Sequence, residues 1–288
     1  MVYTRKDVST LTPSERRRFV KALLEVKRRG EYDVFVRMHV EYYVPDGETG
    51  LRAAHMAPSF LPWHRRFLLD LEQALRRVDE SVTVPYWDWT RNRTQTAVPW
   101  TEDLLGGTGR RSDRQVMTGP FAYRNGMWTI KEGVTNTAYL TRDLGRSQDP
   151  IALPTSKDLK AALADPVYDT APWNSTSAKG FRNKVEGWGP GRAPGSWRNH
   201  NRVHRWVGGH MVGGASVNDP VFWLHHAFVD LLWSRWRQRQ GSARYLPEKP
   251  PAPGDAQHGR VVARHERMPP WDVTPDELED HSGIYRYA

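Results

Sequence analysis

No cysteine occurs anywhere in the 288 residues. That absence excludes disulfides, a thiolate nucleophile, zinc fingers and iron–sulfur clusters, and it leaves the redox compartment unreadable. No stretch approaches the roughly 18 apolar residues of a membrane span. The opening MVYTRKDVST is polar, with no apolar signal-peptide core behind it. The expectation is a soluble chain without signal peptide, either cytoplasmic or exported only with help. Internal repeats and a convincing linker are also missing, so a single domain is expected.

Acidic residues are in deficit, 33 against 42 Lys and Arg, a formal charge of +9. Such a surplus can serve nucleic acid or a membrane surface. Here the basic residues are scattered, and the clusters ERRRF (15–19) and KRRG (27–30) fall on a helix. They read as a solvated helix face, and no recognition motif accompanies them, so neither nucleic acid nor membrane is expected as a partner.

What the chain does have is aromatic residues and histidine. The 13 Trp, 11 Tyr and 8 Phe can fill a sizeable core. LTPSERRRFVKALLEVKRRG predicts a capped helix, with Thr12 as N-cap, Pro13 at the first helical position, Glu15 closing a capping box and Gly30 as the stop. Its apolar side is Phe19, Val20, Leu23 and Leu24. A second helix follows, with Tyr32, Phe35, Val36, His39, Val40 and Tyr43 on one stripe until Pro45. FLPWHRRFLLDLEQALRRVD repeats the pattern through Phe60, His64, Phe67, Leu68, Leu71 and Leu75, while Arg65, Arg66, Asp70 and Arg76 fall largely off that face.

From residue 85 to about 195 the chain is dense in Gly, Pro, Trp and Asn, and one short helix is expected near SKDLKAALAD. Helical periodicity returns in SWRNHNRVHRWV and in DPVFWLHHAFVDLLWSRWRQRQ, where Asp219 and Pro220 read as N-cap and first residue. Phe222, His226, Val229, Asp230 and Trp233 share a face there. The tail from Tyr245 is Pro-rich and is expected to return to the body as a strap.

Histidines thus sit at apolar positions: His39, His64, His200 or His204, and His226. His55, from the loop RAAHMAPS, makes three per half of the chain. One buried imidazole is commonly a hydrogen-bonded core residue. A set of six is not, because each without a partner costs roughly 1–3 kcal/mol of desolvation. Metal binding follows. All six donors are neutral nitrogens, which suits copper or zinc and disfavours magnesium, calcium or carboxylate-bound iron. Two facing three-histidine sites would leave a shared gap in which two coppers could bind O2.

The segments FLPWHRRFL, VPYWDW, DTAPWN, GFRNKVEGW, HNRVHRWVGG and NDPVFWLHHAFVD resemble the bacterial tyrosinases of the type 3 copper family, those of soil actinomycetes in particular. The resemblance spans nearly the whole chain. It implies a mainly α single domain on a four-helix bundle holding a dinuclear copper site, with long irregular loops and few short strands. The first copper half would be about 31–79, the second about 197–239, and the strap about 245–288. His39, His55 and His64 would hold the first copper, and His200, His204 and His226 the second. His225 resembles a neighbour that does not ligate. His210, His258, His265 and His281 match no ligand position.

The implied chemistry is ortho-hydroxylation of small phenols with O2, followed by oxidation of the catechol to an o-quinone. Pigment formation of the melanin type, or phenolic secondary metabolism, is the implied setting. Glu186 resembles a carboxylate that, with Asn201, holds a water and helps to take the phenol proton. Arg205 resembles a residue at the site mouth that attracts acidic substrates. Asp230, one turn beyond His226, is expected either to orient an imidazole or to pair with an arginine, and Asp88 to cap a turn. The lack of cysteine is itself in keeping with the bacterial forms, which lack a thioether to a copper histidine. Those relatives often receive copper from a helper, or caddie, protein that also carries the export signal, which makes such a helper an expected partner.

Two departures from the family pattern bear on substrate preference. GPGRAPGSWR (189–198) is longer than expected, which puts the placing of Glu186 in doubt, and His210 stands where an uncharged amide is usual. The alternative that follows is an o-diphenol or o-aminophenol oxidase with little activity on monophenols. An O2 carrier would share the copper site but needs a shielding domain for which this length leaves no room. A basic nucleic-acid binder would be indifferent to copper.

Overall fold

The computed structural model describes residues 2–133, 137–189 and 194–288. Among these, seven α-helices are joined by long irregular segments, and the one sheet has two short strands. Helix α1 (Pro13–Arg28) starts at the expected capping box: Thr12 Oγ1 accepts from Glu15 N–H at 3.2 Å, and Glu15 Oε2 from Thr12 N–H at 2.8 Å. Gly30, in the left-handed region at φ 76°, turns the chain directly into α2 (Glu31–Tyr42). Tyr32, Phe35, Val36 and His39 are buried as expected, whereas Val40 is 38% exposed. Val40 lies at the edge of the stripe, beyond the reach of the core.

Helix α3 (Phe60–Val78) buries the whole predicted face, and α7 (Val221–Gln240) is buried on every side from Val221 to Ser234. A helix apolar all round is one that other elements enclose, and α7 is the central post of the fold. Its start differs slightly from expectation. Pro220 takes the capping position, and Asp219 accepts from Val221 N–H at 3.0 Å while binding Arg142 through both oxygens at 2.6 and 2.8 Å. The irregular layer holds the expected α4 (Ser156–Leu163), and also a six-residue helix that periodicity could not reveal, α5 (Phe181–Glu186). Helix α6 is Asn199–Val207.

The chain ends close this bundle. Strands β1 (Tyr3–Arg5) and β2 (Tyr285–Tyr287) pair in parallel. Their side chains, with α3 and α7, bury a charged network: Arg5 donates to Glu72 (2.6 and 2.9 Å) and Asp230 (3.0 Å), and Arg65 donates to Asp230 (2.6 Å). Tyr285 and Tyr287 also donate to Asp230, at 2.6 and 2.5 Å. Arg65 therefore corrects the sequence reading. It lies off the apolar stripe yet is 1% exposed, because the C-terminal segment covers that side and accepts from it at Leu278 O, 2.7 Å. No helix among the described residues is long and apolar enough to cross a membrane.

Candidate metal centre

Four helices and one loop bring the six histidines together. His39 comes from α2, His55 from the α2–α3 connection, His64 from α3, His200 and His204 from α6, and His226 from α7. Each is at most 7% exposed. Their donor atoms fall into two groups, His39, His55 and His64 in one, and His200, His204, His225 and His226 in the other, with ligand atoms within 4.8 Å of one another in each group. The groups abut where the His64 and His226 rings stack with centroids 4.0 Å apart.

Proton positions follow from the partners. His39 Nδ1–H donates to Gly214 O at 2.5 Å, His64 to Phe60 O at 2.8 Å, and His204 to Met211 O at 2.6 Å. His200 Nδ1–H donates to Asn201 Oδ1 at 2.9 Å, and His55 Nδ1 lies 3.4 Å from Glu186 Oε1. A neutral imidazole that donates through Nδ1 carries a lone pair on Nε2, and these lone pairs face each other. Nε2 of His39 is 3.1 Å from that of His55, and Nε2 of His200 is 3.0 Å from that of His204. Nε2 of His226, whose Nδ1 has no partner among the described residues to fix its proton, is 3.3 Å from that of His200. His64 Nε2 has no hydrogen-bond partner among the described residues. Opposed lone pairs in a dry interior repel unless a cation lies between them. The residues present therefore fit two metal ions held by nitrogen, and the donor set suits copper. Burial pushes His39, His64, His200 and His226 well below the ordinary imidazole value, and His204 down to about 3, so these rings stay neutral, as ligation requires.

His225 belongs to the second group by distance but not by chemistry. Trp89 Nε1–H donates to its Nδ1 at 3.1 Å, which leaves the proton on Nε2 and no lone pair to offer inward. Trp89 stands in the PYWDW segment. Asp88 there does cap a turn, accepting from Thr90 N–H at 3.0 Å.

Glu186, the last residue of α5, is fully buried. Its Oε1 accepts from Met56 N–H at 2.8 Å and its Oε2 from Arg182 at 2.9 Å. Burial alone would raise this carboxyl, but His55, Arg182 and Met56 N–H hold it below the ordinary value. Part of the long segment after it, 190–193, lies outside the described residues, yet its neck is closed. Arg198 N–H donates to Gly187 O at 2.8 Å, and a side chain at Gly187 would meet Arg198 O at 1.9 Å. Glu186 thus sits against the His55 loop, behind the lining of the cavity over the histidines.

Asn201 Nδ2 has no partner among the described residues, and the residue lines a small cavity over His55, His200 and His204 that Tyr43, Trp188, Trp197 and Val212 wall. Arg205 does not line that cavity, and its guanidinium binds Asp149 at 2.5 Å. Asp230 touches no candidate ligand, and of its two expected roles the structure shows the ion pair. His210 is buried away from the cavity, accepting at Nδ1 from Thr141 N–H at 3.0 Å.

A family model described as the common central domain of tyrosinase matches residues 29–239. A tyrosinase of Streptomyces glaucescens is 50% identical over 284 residues, 98% of each chain. Grixazone synthase of Streptomyces griseus is 42% identical over 314 aligned positions, covering 100% of this chain and 99% of its own. Among solved structures, a polyphenol oxidase from Thermothelomyces thermophila superposes with a TM-score of 0.71 at 20% identity, covering 100% of this chain and 89% of that one, a likeness of fold.

Proposed function

This chain belongs to the tyrosinase family, and from that premise we propose that His39, His55 and His64 hold one copper ion and His200, His204 and His226 a second. The protein is a type 3 copper oxidase that acts on phenols. The halves at about 31–79 and 197–239 each deliver one three-histidine site within a single copper domain, braced by the strap at about 245–288. The observation that carries the reading is the set of opposed Nε2 atoms, 3.0–3.3 Å apart, in two abutting groups. When bound, the copper pair supplies O2 binding and electron transfer.

The rest of the work belongs to the chain. Backbone carbonyls at Gly214, Phe60 and Met211 hold three imidazoles in the tautomer that a metal needs. Tyr43, Trp188 and Trp197 shield the cavity from bulk water and offer ring faces to a phenol. Asn201 Nδ2–H holds a water there. Glu186 has one acceptor position beyond those used by Met56, Arg182 and His55, and takes the phenol proton through that water. Arg205, one position beyond His204, adds positive potential that draws anionic phenols, damped by its bond to Asp149.

The net reaction puts one oxygen atom of O2 into the ring ortho to the hydroxyl, releases the other as water, and yields an o-quinone. A catechol is oxidised without the insertion. The alternative, an o-diphenol or o-aminophenol oxidase with little activity on monophenols, turns on a displaced Glu186, and Glu186 stands 3.4 Å from His55. Burial of all six imidazoles also favours copper delivery by a helper protein over entry from solvent, and export, where it occurs, in that helper's company. Initial rates on tyramine beside catechol test the proposal. Turnover of both, with a lag on tyramine, is expected, and turnover of catechol alone would support the alternative.

A further inference from the structure

His55 is the one candidate ligand that no helix carries, and it is also the one whose Nδ1 faces a carboxylate. His39, His64, His200, His204 and His226 all project from helices, and four of them lean on neutral oxygens. Glu186 grips the His55 loop twice, at the imidazole and at Met56 N–H, where the backbone is in the left-handed region at φ 52°.

Glu186 is braced in turn. Arg182, one turn earlier on α5, reaches Glu186 through Nη1 and Asp169 through Nε (2.8 Å) and Nη2 (2.7 Å), and all three side chains are fully buried. Asp169 is anchored by Thr170 N–H at 2.8 Å. Its backbone meets the start of α5 so closely that a side chain at Gly180 would lie 2.6 Å from Asp169 Cα. Two buried carboxylates and one guanidinium are poor stabilisers, because desolvation offsets their attraction. Their geometry instead forms a line, Asp169 to Arg182 to Glu186 to His55, that ends on the loop ligand.

We propose that Asp169 and Arg182 are positioning residues for the first copper site: they fix Glu186 so that the His55 loop holds its imidazole with Nε2 turned to the metal. This rests on the copper reading above. Among the described residues no carboxylate faces an Nδ1 of the second site, and Glu186 meets that site only through its backbone carbonyl, 3.3 Å from His200 Nδ1, so the effect of breaking the side-chain line falls mainly on one copper of the pair.

The test titrates full-length protein with copper against a competing chelator and records electron paramagnetic resonance, for the parent, Arg182→Met, Arg182→Lys and Asp169→Asn. In the parent, two equivalents bind and form a coupled, silent pair. In Arg182→Met, one equivalent is expected to bind about 10- to 100-fold more weakly, leaving an isolated Cu(II) signal from the other. Arg182→Lys, which keeps a charge on Glu186, is expected to recover part of the loss. Should Arg182→Met not fold, Asp169→Asn decides, with a smaller loss of the same equivalent expected. Folded variants that bind both equivalents like the parent, or lose both alike, overturn the proposal. A parent that binds fewer than two would instead remove the copper reading on which it rests.

Discussion

Replacing Asp230 by Asn tests whether this residue serves the fold or the metal. Asp230 is 3% exposed and accepts from Arg5, Arg65, Tyr285 and Tyr287. Burial pushes its carboxyl up, but Arg65 and Arg5 outweigh that and hold it at about 2. Arg5 would keep Glu72, whereas Arg65 would keep only neutral acceptors such as Leu278 O and Ser234 Oγ and the face of Trp233. Leaving a buried guanidinium without its anion costs about 3–5 kcal/mol. For a chain of this length that lowers Tm by on the order of 6–10 °C. Calorimetry at pH 7 would measure the loss, and metal analysis of the folded variant should still find two coppers. Since the folded value lies below the ordinary 3.8, the parent's extra stability is present above pH 4 and is lost as pH falls through about 2. The variant should therefore show a flatter acid limb. Loss of copper from a folded Asp230→Asn protein would refute this reasoning and return Asp230 to the metal centre.

His225→Leu should keep both coppers, because Trp89 already occupies the nitrogen that holds the lone pair. The expected change is a stability loss of about 1–3 kcal/mol from the orphaned indole N–H, read by denaturant melts. Asn201→Asp, which keeps the oxygen that accepts from His200 and removes only the Nδ2 donor, should retain copper by metal analysis yet slow oxygen uptake on a monophenol roughly 10- to 100-fold more than on a catechol, since only the hydroxylation needs the proton moved. Thr12→Ala removes the α1 capping box and should cost about 1 kcal/mol, visible as a small drop in Tm with copper content unchanged.

The helices that carry histidine were legible because a ligand at an apolar position keeps the helical period: His39, His64 and His226 stand in their stripes just where leucine would. The cap at Thr12 was equally readable, since it is encoded within four residues. What could not be read depends on contacts between distant segments. Arg65 seemed exposed by its helical angle, and only the returning C-terminal segment buries it. Val40 failed for the converse reason, because nothing covers the edge of its stripe. The carbonyls of Gly214 and Met211 that fix two imidazoles carry no signal of residue type at all. Trp89 carried no sign of its part, because that part is a hydrogen bond to a residue 136 positions away. The doubt about Glu186 came from counting loop residues, and the closed neck between Gly187 and Arg198 makes that count irrelevant to where the carboxylate sits.

As proposed above, six histidines form two adjacent three-nitrogen copper sites. Anomalous diffraction at the copper edge from crystals of the copper-loaded protein tests it most directly. Two peaks are expected, one bounded by Nε2 of His39, His55 and His64 and the other by Nε2 of His200, His204 and His226. A single peak, or a peak ligated by His225 in place of one of these six, would contradict it.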